Sequence, residues 1–410
     1  MLGKKYPHRF IKGLVSAIAV LLLLHGSSSI YIAKESEIPA TEAKATPQAQ
    51  TSDSTLPVEI AAKAAVLMDA GTGKLLVNYN PDARLFPASV TKIMPLLLVG
   101  EAIDSGKIKL SDPVTVSAAA AGKGGSQIWL KEGETMTVEE LVKATAIYSA
   151  NDACTALGEF LAGSEEGIVK MMNDRAKELG MRNTTFVNCT GLDDDTTEHL
   201  TTARDIAIMS RELLKHDSVI RFSSIWMDSL RDGKTELVNT NRLVRFYEGA
   251  TGLKTGTTSK AGCCISASAL REGTHLVAVV LGSESSNDRF DTAKRLLNWG
   301  FANYASVVPE IDPAAFAQVR VLRGAQRWIV PELPEAIRIL VPKGSEKDLQ
   351  QQIDLPLDVQ APVEAGQTLG KISILLDGEV LGSFPLKAAA SVAKLDFKTA
   401  LLRALCALVG

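Results

Sequence analysis

The sequence has few of the residues that usually indicate a metal site or a nucleic-acid partner. Five histidines are scattered along the 410-residue chain, and the five cysteines are an odd number without a disulfide-framework or metal-ligand spacing. The formal net charge is only −3 and no basic stripe dominates, which argues against nucleic acid as the main partner. We therefore expect no metal, no cofactor and no nucleic-acid partner.

The first 56 residues show no pattern of a folded domain. A basic N-terminus precedes the apolar run 14–24, and small and polar residues follow it. The run is short for a bilayer span, which needs about 20 residues, so residues 1–33 are predicted to be a secretory signal; an uncleaved anchor or a buried helix is the alternative. Residues 34–56 are polar and rich in Ala, Thr, Ser and Pro, which predicts a linker. The chain is therefore expected to be exported.

Strand and helix patterns fill residues 57–303. Apolar runs on both sides of Gly71–Gly73 predict a hairpin, and residues 261–270 and 275–282 read as two adjoining strands. A capping box at Thr137 and Glu140 predicts the start of one helix. Three further helices are predicted near residues 164–179, 201–215 and 287–301. Strands at both ends with helices between them predict a mixed α/β (α+β) domain with an antiparallel sheet.

The rest of the chain has a different pattern. Short β-type runs between residues 304 and 390, with a hairpin turn at Asp377-Gly378, predict a small β-rich domain without a catalytic constellation. Residues 391–410 are helix-like with apolar side chains on one arc, although Lys394 and Lys398 project into that arc and would have to snorkel. For an exported chain this predicts an amphipathic helix that anchors the protein to the membrane surface; a tail helix docked on its own domain is the alternative.

Ser89 and Lys92 are the first candidate catalytic residues. Residues three apart share one face of a helix, so the Lys92 amine can point at the Ser89 hydroxyl. A serine needs a neighbouring base to become a nucleophile, and a lysine becomes that base when burial or a second cation lowers its pKa. The same spacing recurs at Ser391–Lys394, where no chemistry is expected, so the spacing alone leaves open that Ser89 only caps a helix. Pro95 should kink the predicted helix beyond the pair.

Two further polar elements follow in order. Ser149, at the end of a predicted helix, can pass a proton between the lysine and a leaving group, and the Asn151 amide can fix the lysine and bind a substrate carbonyl. Capping of the helix end is the alternative, and the Ser-x-Asn pattern recurs at 285–287. The third element, GLKTGTT at 252–258, occurs once and precedes a strand.

Each residue type in the third element suits a substrate that ends in a free carboxylate. Lys254 supplies a second cation and Thr255 a hydroxyl. Gly256 would let a substrate backbone approach closely and pair along the edge of the sheet. The second serine–lysine spacing, at 391–394, comes after all three elements, and the second Ser-x-Asn pattern, at 285–287, comes after the lysine element. Neither of them can therefore take a place in the same order. The order of the elements therefore carries more weight than any single one.

This order resembles that of the serine penicillin-recognising enzymes. The segments PASVTKIM, YSANDAC, NCTGLDDD, TTARD and GLKTGTT resemble those of the low-molecular-mass penicillin-binding proteins, the D-alanyl-D-alanine carboxypeptidase family, over nearly the whole chain. The resemblance implies a β-lactamase/transpeptidase-like catalytic domain. It also implies these roles: Ser89 as the acylated serine, Lys92 as its base, Ser149 as proton shuttle, Asn151 as a positioning group, Lys254 and Thr255 as the carboxylate site, and the backbone N–H groups of Ser89 and Thr257 as the oxyanion hole. The segment around His199 departs from the family's pattern, and we expect a solvent-exposed loop histidine there.

The resemblance implies a serine-type D-Ala-D-Ala carboxypeptidase on the outer face of the cytoplasmic membrane. Such an enzyme removes the terminal D-alanine from peptidoglycan stem pentapeptides through an acyl-enzyme, and β-lactams acylate the same serine. The E-x-x-L-N segment of class A β-lactamases is absent between Ser149 and Lys254, which argues against fast β-lactam hydrolysis. Endopeptidase or transpeptidase activity and a non-catalytic peptidoglycan-binding scaffold stay open as alternatives.

Overall fold

The structure is a computed structural model that describes residues 56–311, 316–333 and 337–401. The predicted secretory signal, almost all of the predicted linker and the end of the predicted anchor helix lie outside the described residues. We call residues 57–303 the first domain and residues 304–401 the second domain.

The first domain contains both helices and strands. Its strands are β1 (Ala64–Asp69), β2 (Leu75–Tyr79), β3 (Pro113–Thr115), β4 (Thr135–Thr137), β5 (Met227–Leu230), β6 (Thr235–Val238), β7 (Ala250–Thr258), β8 (Gly262–Arg271) and β9 (Thr274–Ser283). Its α-helices are α1 (Ile93–Asp104), α2 (Ala118–Ala121), α3 (Val138–Lys143), α4 (Asn151–Ala162), α5 (Glu165–Glu178), α6 (Ala203–Leu213), α7 (Asp217–Ser223), α8 (Leu243–Phe246) and α9 (Ser286–Asn303).

A five-stranded antiparallel sheet with the order β2-β1-β9-β8-β7 forms the centre of the first domain. The predicted β1–β2 hairpin and the predicted strand pair β8–β9 are confirmed. Side chains alternate across a strand, so Val66 packs in the core that contains Leu97 of α1, while Leu67 packs in the core that contains Leu296 of α9. Because helices cover both faces, β1 is a continuous apolar run.

The predicted helices are present as α3, α5, α6 and α9. At the start of α3, the Thr137 hydroxyl accepts from the Glu140 N–H, and the Glu140 carboxylate accepts from the Thr137 N–H, which is the predicted capping box. The second Ser-x-Asn pattern also begins a helix, because the Ser285 hydroxyl accepts from the Asp288 N–H and caps α9. That recurrence is therefore structural.

The segment around Ser89 differs from the single kinked α-helix that the sequence suggests. Ala88–Lys92 is a 3₁₀ turn, and α1 begins only at Ile93. Pro95 therefore lies in the first turn of α1, where a backbone N–H has no regular intrahelical partner to lose. The change from 3₁₀ to α geometry takes the place of the expected kink, and the Ser89–Lys92 turn precedes it.

The second domain is built mainly of strands. They are β10 (Tyr304–Val307), β11 (Val319–Leu322), β12 (Trp328–Ile329), β13 (Pro331–Glu332), β14 (Ile339–Pro342), β15 (Gln350–Asp354), β16 (Asp358–Gln360), β17 (Thr368–Leu376) and β18 (Glu379–Ala388). They form the sheets β10-β14, β12-β11-β16 and β13-β18-β17-β15. Asp377 and Gly378 join β17 to β18, which confirms the predicted hairpin turn.

The predicted start of the C-terminal helix at residue 391 is wrong. Val392 forms a β-bridge with Val363 and is buried, Lys394 forms one with Gly324, and helical backbone begins at residue 397. The Asp396 carboxylate accepts from the Thr399 N–H and so caps this helix. The apolar periodicity is misleading at residues 391–394 because they pair with the second domain. Within the residues described, no helix is long and apolar enough to cross a membrane.

Candidate active site

The 3₁₀ turn brings Ser89 and Lys92 together. Residues three apart eclipse each other in a 3₁₀ helix, and the Lys92 Nζ lies 2.9 Å from the Ser89 Oγ. The same ammonium group donates to the Thr190 carbonyl oxygen at 2.9 Å. Lys92 is fully buried, whereas Ser89 is only half-buried. The hydroxyl is thus open to a ligand, and the lysine approaches it from within the protein.

Burial lowers the pKa of Lys92 to about 8. The nearby Cys154, Cys189 and Asp152 raise the pKa and oppose this effect. The sequence pointed to burial or a second cation as the cause, and burial is the one that acts on Lys92. A pKa of about 8 leaves a useful fraction of neutral amine near neutral pH, as a general base requires.

Ser149 and Asn151 lie where two helices meet. The turn of π-helix Ala144–Tyr148 ends at Ser149, which has a left-handed backbone (φ +69°), and α4 begins at Asn151. Both residues are buried. The Asn151 Nδ2 donates to the Gly124 carbonyl oxygen at 2.6 Å, so this amide holds a loop and not Lys92 as expected. Its Oδ1 is buried without a partner among the described residues.

Strand β7 carries the third element along the turn that holds Ser89. Lys254 is buried and donates to the Thr255 carbonyl oxygen, and the Thr255 hydroxyl donates to that of Thr240 at 2.7 Å. A Cβ on Gly256 would lie 2.7 Å from the Ser89 backbone nitrogen. Close packing against the Ser89 turn therefore requires the glycine, and the approach of a substrate backbone at Gly256 stays a prediction.

A third cation, Arg289 of α9, lies behind this strand. Its Nη1 donates to the Gly256 carbonyl oxygen and to the Thr257 hydroxyl, both at 2.9 Å. Burial lowers the pKa of Lys254 well below its usual value, and the positive charges of Lys92 and Arg289 lower it further. No local sequence pattern indicates Arg289, because it lies far along the chain in an ordinary helical pattern. Basic side chains buried near one accessible serine favour an anionic ligand, whose charge would in turn favour their protonated forms.

The loop before α6 also contacts the site, although no motif in the sequence indicates its contribution. The Asn188 side chain accepts from the backbone N–H groups of Thr190 and Gly191, which fixes the Thr190 carbonyl oxygen that Lys92 contacts. Gly191 has a φ of +85°, and a Cβ there would lie 1.9 Å from the Ala88 carbonyl oxygen. Only glycine fits this contact with the turn that holds Ser89.

The prediction of an exposed His199 is wrong. Its side chain is buried, and its Nδ1 accepts from the Val187 N–H at 3.1 Å. The Nε2 must therefore carry the proton, and it donates to the Thr91 hydroxyl at 2.8 Å, which donates to the Ala88 carbonyl oxygen at 2.8 Å. Burial lowers the pKa of His199 to about 4, so the ring is neutral at neutral pH. The histidine thus lies two hydrogen bonds away from the residue that precedes Ser89.

Cavity size does not identify this site. A cavity of about 700 Å³ in the first domain is lined by residues such as Leu214, Ile220 and Leu270, and none of the site residues is part of its wall. The shared chemistry of the serine, the lysines and Arg289 identifies the site.

Comparison with known proteins agrees with this chemistry. Residues 48–285 match the family described as D-alanyl-D-alanine carboxypeptidase, and residues 313–394 match the C-terminal domain of penicillin-binding protein 5. The D-alanyl-D-alanine carboxypeptidase DacF of Bacillus subtilis is 44% identical over 346 residues, which are 83% of this chain and 88% of that relative.

Solved structures are similar over different shares of the chain. Penicillin-binding protein 5 of Haemophilus influenzae has a TM-score of 0.72 and 31% identity, covering 83% of this chain and 100% of that one. Penicillin-binding protein D2 of Listeria monocytogenes, solved with ampicillin bound, has a TM-score of 0.55 and 31% identity, covering 60% of this chain and 99% of that one. With its mixed fold, its serine–lysine pair and these relatives, the chain belongs to the D-alanyl-D-alanine carboxypeptidase family of penicillin-binding proteins and is a serine hydrolase.

Proposed function

We propose that Ser89 is the acylated nucleophile of this carboxypeptidase and that Lys92 is its base. The observation that carries the proposal is the 2.9 Å contact between the Ser89 Oγ and a fully buried lysine amine with a pKa of about 8. Neutral Lys92 accepts the Ser89 proton as the Oγ bonds to the carbonyl carbon of the penultimate D-alanine. The C–N bond then breaks, and Ser149 relays the proton to the amine of the departing D-alanine.

The acyl-enzyme is released by water. The Oγ–carbonyl bond breaks, the water oxygen stays on the peptide as part of its new carboxylate, and the proton returns to Ser89. Free D-alanine and the shortened stem peptide are the two products. Because the acyl-enzyme is covalent, a slowly hydrolysed acyl group can be trapped on Ser89.

The substrate site follows from the charges along β7. Lys254 and Thr255 bind the terminal carboxylate, with Arg289 as a further positive charge behind them. An arriving carboxylate would raise the lowered pKa of Lys254, so binding favours its charged form. Gly256 packs on the Ser89 turn and Thr257 follows it along β7, which supports an oxyanion hole formed by the backbone N–H groups of Ser89 and Thr257. The unpaired Asn151 Oδ1 suits a peptide N–H of the substrate.

Labelling and product analysis test these roles. A fluorescent penicillin should form a covalent adduct with the wild type and none with Ser89→Ala, since a relative of this fold has been solved with ampicillin bound. Ser391→Ala is the matched control, because Ser391 has the same spacing to a lysine but its hydroxyl accepts from the Ala365 N–H. The wild type should release D-alanine from a stem pentapeptide. A labelled Ser89→Ala protein, or no D-alanine from the wild type, would overturn the assignment.

We further propose that the chain is exported and held at the outer face of the cytoplasmic membrane by its C-terminal helix. The basic and apolar N-terminal pattern supports export. Phe397 is 82% exposed and Leu401 is also exposed, which supports a lipid contact for the helix. A chain that ends at residue 396 keeps the residues that pair with the second domain. If this shorter chain fractionates with membranes as firmly as the full chain, with the signal cleaved in both, the anchor proposal fails.

A further inference from the structure

A hairpin of the second domain exposes large apolar side chains. We call residues 319–330, which contain β11 and β12, the basic hairpin. Trp328 pairs with Arg320, and paired residues point to the same face of a sheet. Leu322 and Val330 lie two residues from this pair and share the outer face, where Trp328 is 51% exposed. The inner face, by contrast, is buried in the core of the second domain.

The same hairpin is strongly basic. Arg320, Arg323 and Arg327 are all exposed. Arg320 pairs with Asp358 at 3.0 Å, whereas neither Arg323 nor Arg327 has an acidic partner among the residues that the structure describes. An exposed tryptophan next to a turn with unpaired arginines is typical of side chains at the boundary of a lipid bilayer, where the ring lies among the headgroups and the cations face lipid phosphates.

The hairpin is joined to the segment that leads into the C-terminal helix. The Leu395 N–H donates to the Arg323 carbonyl oxygen at 2.7 Å, and the Ala325 N–H donates to the Ala393 carbonyl oxygen at 2.8 Å. The helix begins two residues after Leu395, so its exposed Phe397 starts next to the hairpin turn. Lys394, in the segment that pairs with the hairpin, and Lys398, in the helix, add two exposed cations. The sequence continues with further apolar residues through residue 410.

We propose that the turn of the basic hairpin, with Arg323 and Arg327, and the adjoining outer face with Trp328 form a second membrane-contacting surface, which binds an anionic lipid bilayer beside the C-terminal helix. The proposal rests on the proposed membrane association and assigns the basic hairpin as the part of the second domain that contacts the bilayer. The positive charge selects anionic headgroups, and the exposed Trp328 and Leu322 supply the apolar contact. Contact at the helix and at the hairpin would fix the orientation of the second domain on the membrane.

The test uses flotation of the full chain with vesicles of phosphatidylglycerol and phosphatidylcholine, and with phosphatidylcholine alone. The double variant Arg323→Gln/Arg327→Gln should lower binding to the anionic vesicles about tenfold and leave the weak binding to neutral vesicles unchanged. Lys371→Gln/Lys387→Gln is the matched control, because both lysines are exposed on β17 and β18, and it should bind more tightly than the arginine variant. Penicillin labelling of Ser89 verifies the fold of the first domain in every variant, and thermal unfolding verifies that the second domain is folded as well.

A direct contact is tested by fluorescence quenching. Lipids brominated near the headgroup should quench the wild type more than Trp328→Phe, which keeps an aromatic side chain and should still bind. Equal quenching of the two proteins, or arginine variants that bind like the wild type, would overturn the hairpin proposal.

The chain ending at residue 396 separates the two proposals. If it loses binding while the hairpin variants do not, the anchor stands and the hairpin proposal fails. If it binds like the full chain while the hairpin variants lose binding, the anchor fails and the hairpin stands. If removing the helix increases binding through Trp328, the helix covers the hairpin within the protein, and a simultaneous lipid contact is wrong.

Discussion

Lys92, Lys254 and His199 are buried in the first domain, whereas the described residues of the second domain bury no charged side chain and, among polar ones, only Ser373. Burying an ionisable group costs free energy that a simple packed core avoids. The second domain shows that this chain can build cores without such groups. The buried cations of the first domain are therefore best explained by its reaction, and their lowered pKa values follow from the same burial.

The largest effect is expected when the buried base is removed. Lys92→Met keeps the length of the side chain and removes the amine, so acylation by penicillin should slow by about 10³-fold. The fold should be kept, because methionine needs no hydrogen bond in this buried position. Stopped-flow acylation and thermal unfolding measure the two effects. Lys394→Met, in the second occurrence of the same spacing, should acylate like the wild type, and a similar loss there would contradict the contrast between the domains.

The second domain should respond in stability and not in chemistry. Ile372 is fully buried in the core of the second domain, so Ile372→Ala should cost about 3 kcal/mol of unfolding free energy. Leu97→Ala is the matched change in the first domain. At a temperature where both domains stay folded, Ile372→Ala should acylate at the wild-type rate. A clear loss of acylation in that variant would show that the two domains are coupled.

The dependence of acylation on pH distinguishes the buried lysine from the surface lysines. Neutral Lys92 is required and its pKa is lowered to about 8, so the acylation rate should rise about tenfold per pH unit below that value and level off above it. A surface lysine would place the bend near its ordinary pKa of about 10.4. A pH–rate profile measured with an uncharged β-lactam ester shows this rise in rate, because the ligand itself does not titrate. A flat profile between pH 6 and 8 would exclude Lys92 as the titrating base.

A smaller effect is expected from His199, which contacts no reacting atom. His199→Ala removes the hydrogen bond that holds Thr91, and we expect acylation to slow about tenfold through displacement of the Ser89 turn. Thr91→Val removes the same bond from the other side, so the double variant should lose little more than either single one. Thr91→Ser keeps the hydroxyl and should acylate nearly like the wild type. Additive losses would mean that the two residues act separately.

The free energy of unfolding of the first domain should also depend on pH through His199. The pKa of His199 is lowered to about 4, below its unfolded value of about 6.5, so the unfolded chain binds the additional proton first as the pH falls. The contribution of neutral His199 is fully present above pH 6.5 and is lost progressively down to about pH 4. A variant without the histidine should show a weaker loss of stability across that window.

The sequence predicts local relations better than distant ones. The Ser89–Lys92 pair follows from a spacing of three in any helical turn, and the β1–β2 hairpin from its glycines. Burial of His199 and the position of Arg289 depend on contacts with residues far along the chain, which one local pattern cannot show. The sequence places the start of the C-terminal helix too early. Val392 is apolar because it is buried in its pairing with Val363, and it is not part of a helical face.

The smallest effect is expected at the surface between the two domains. The Lys74 Nζ lies 3.9 Å from a carboxylate oxygen of Glu379, and both side chains are more than half exposed. Water screens such a pair, so a double-mutant cycle with Lys74→Ala and Glu379→Ala should give a coupling of about 0.5 kcal/mol or less. Strand β10 continues directly from α9, and its Ser306 N–H donates to the Thr274 hydroxyl of β9 at 2.7 Å, so the backbone is the stronger connection. A coupling above about 1 kcal/mol would mean that this ion pair stabilises the contact between the domains, and that an ionisable group of the second domain contributes to stability.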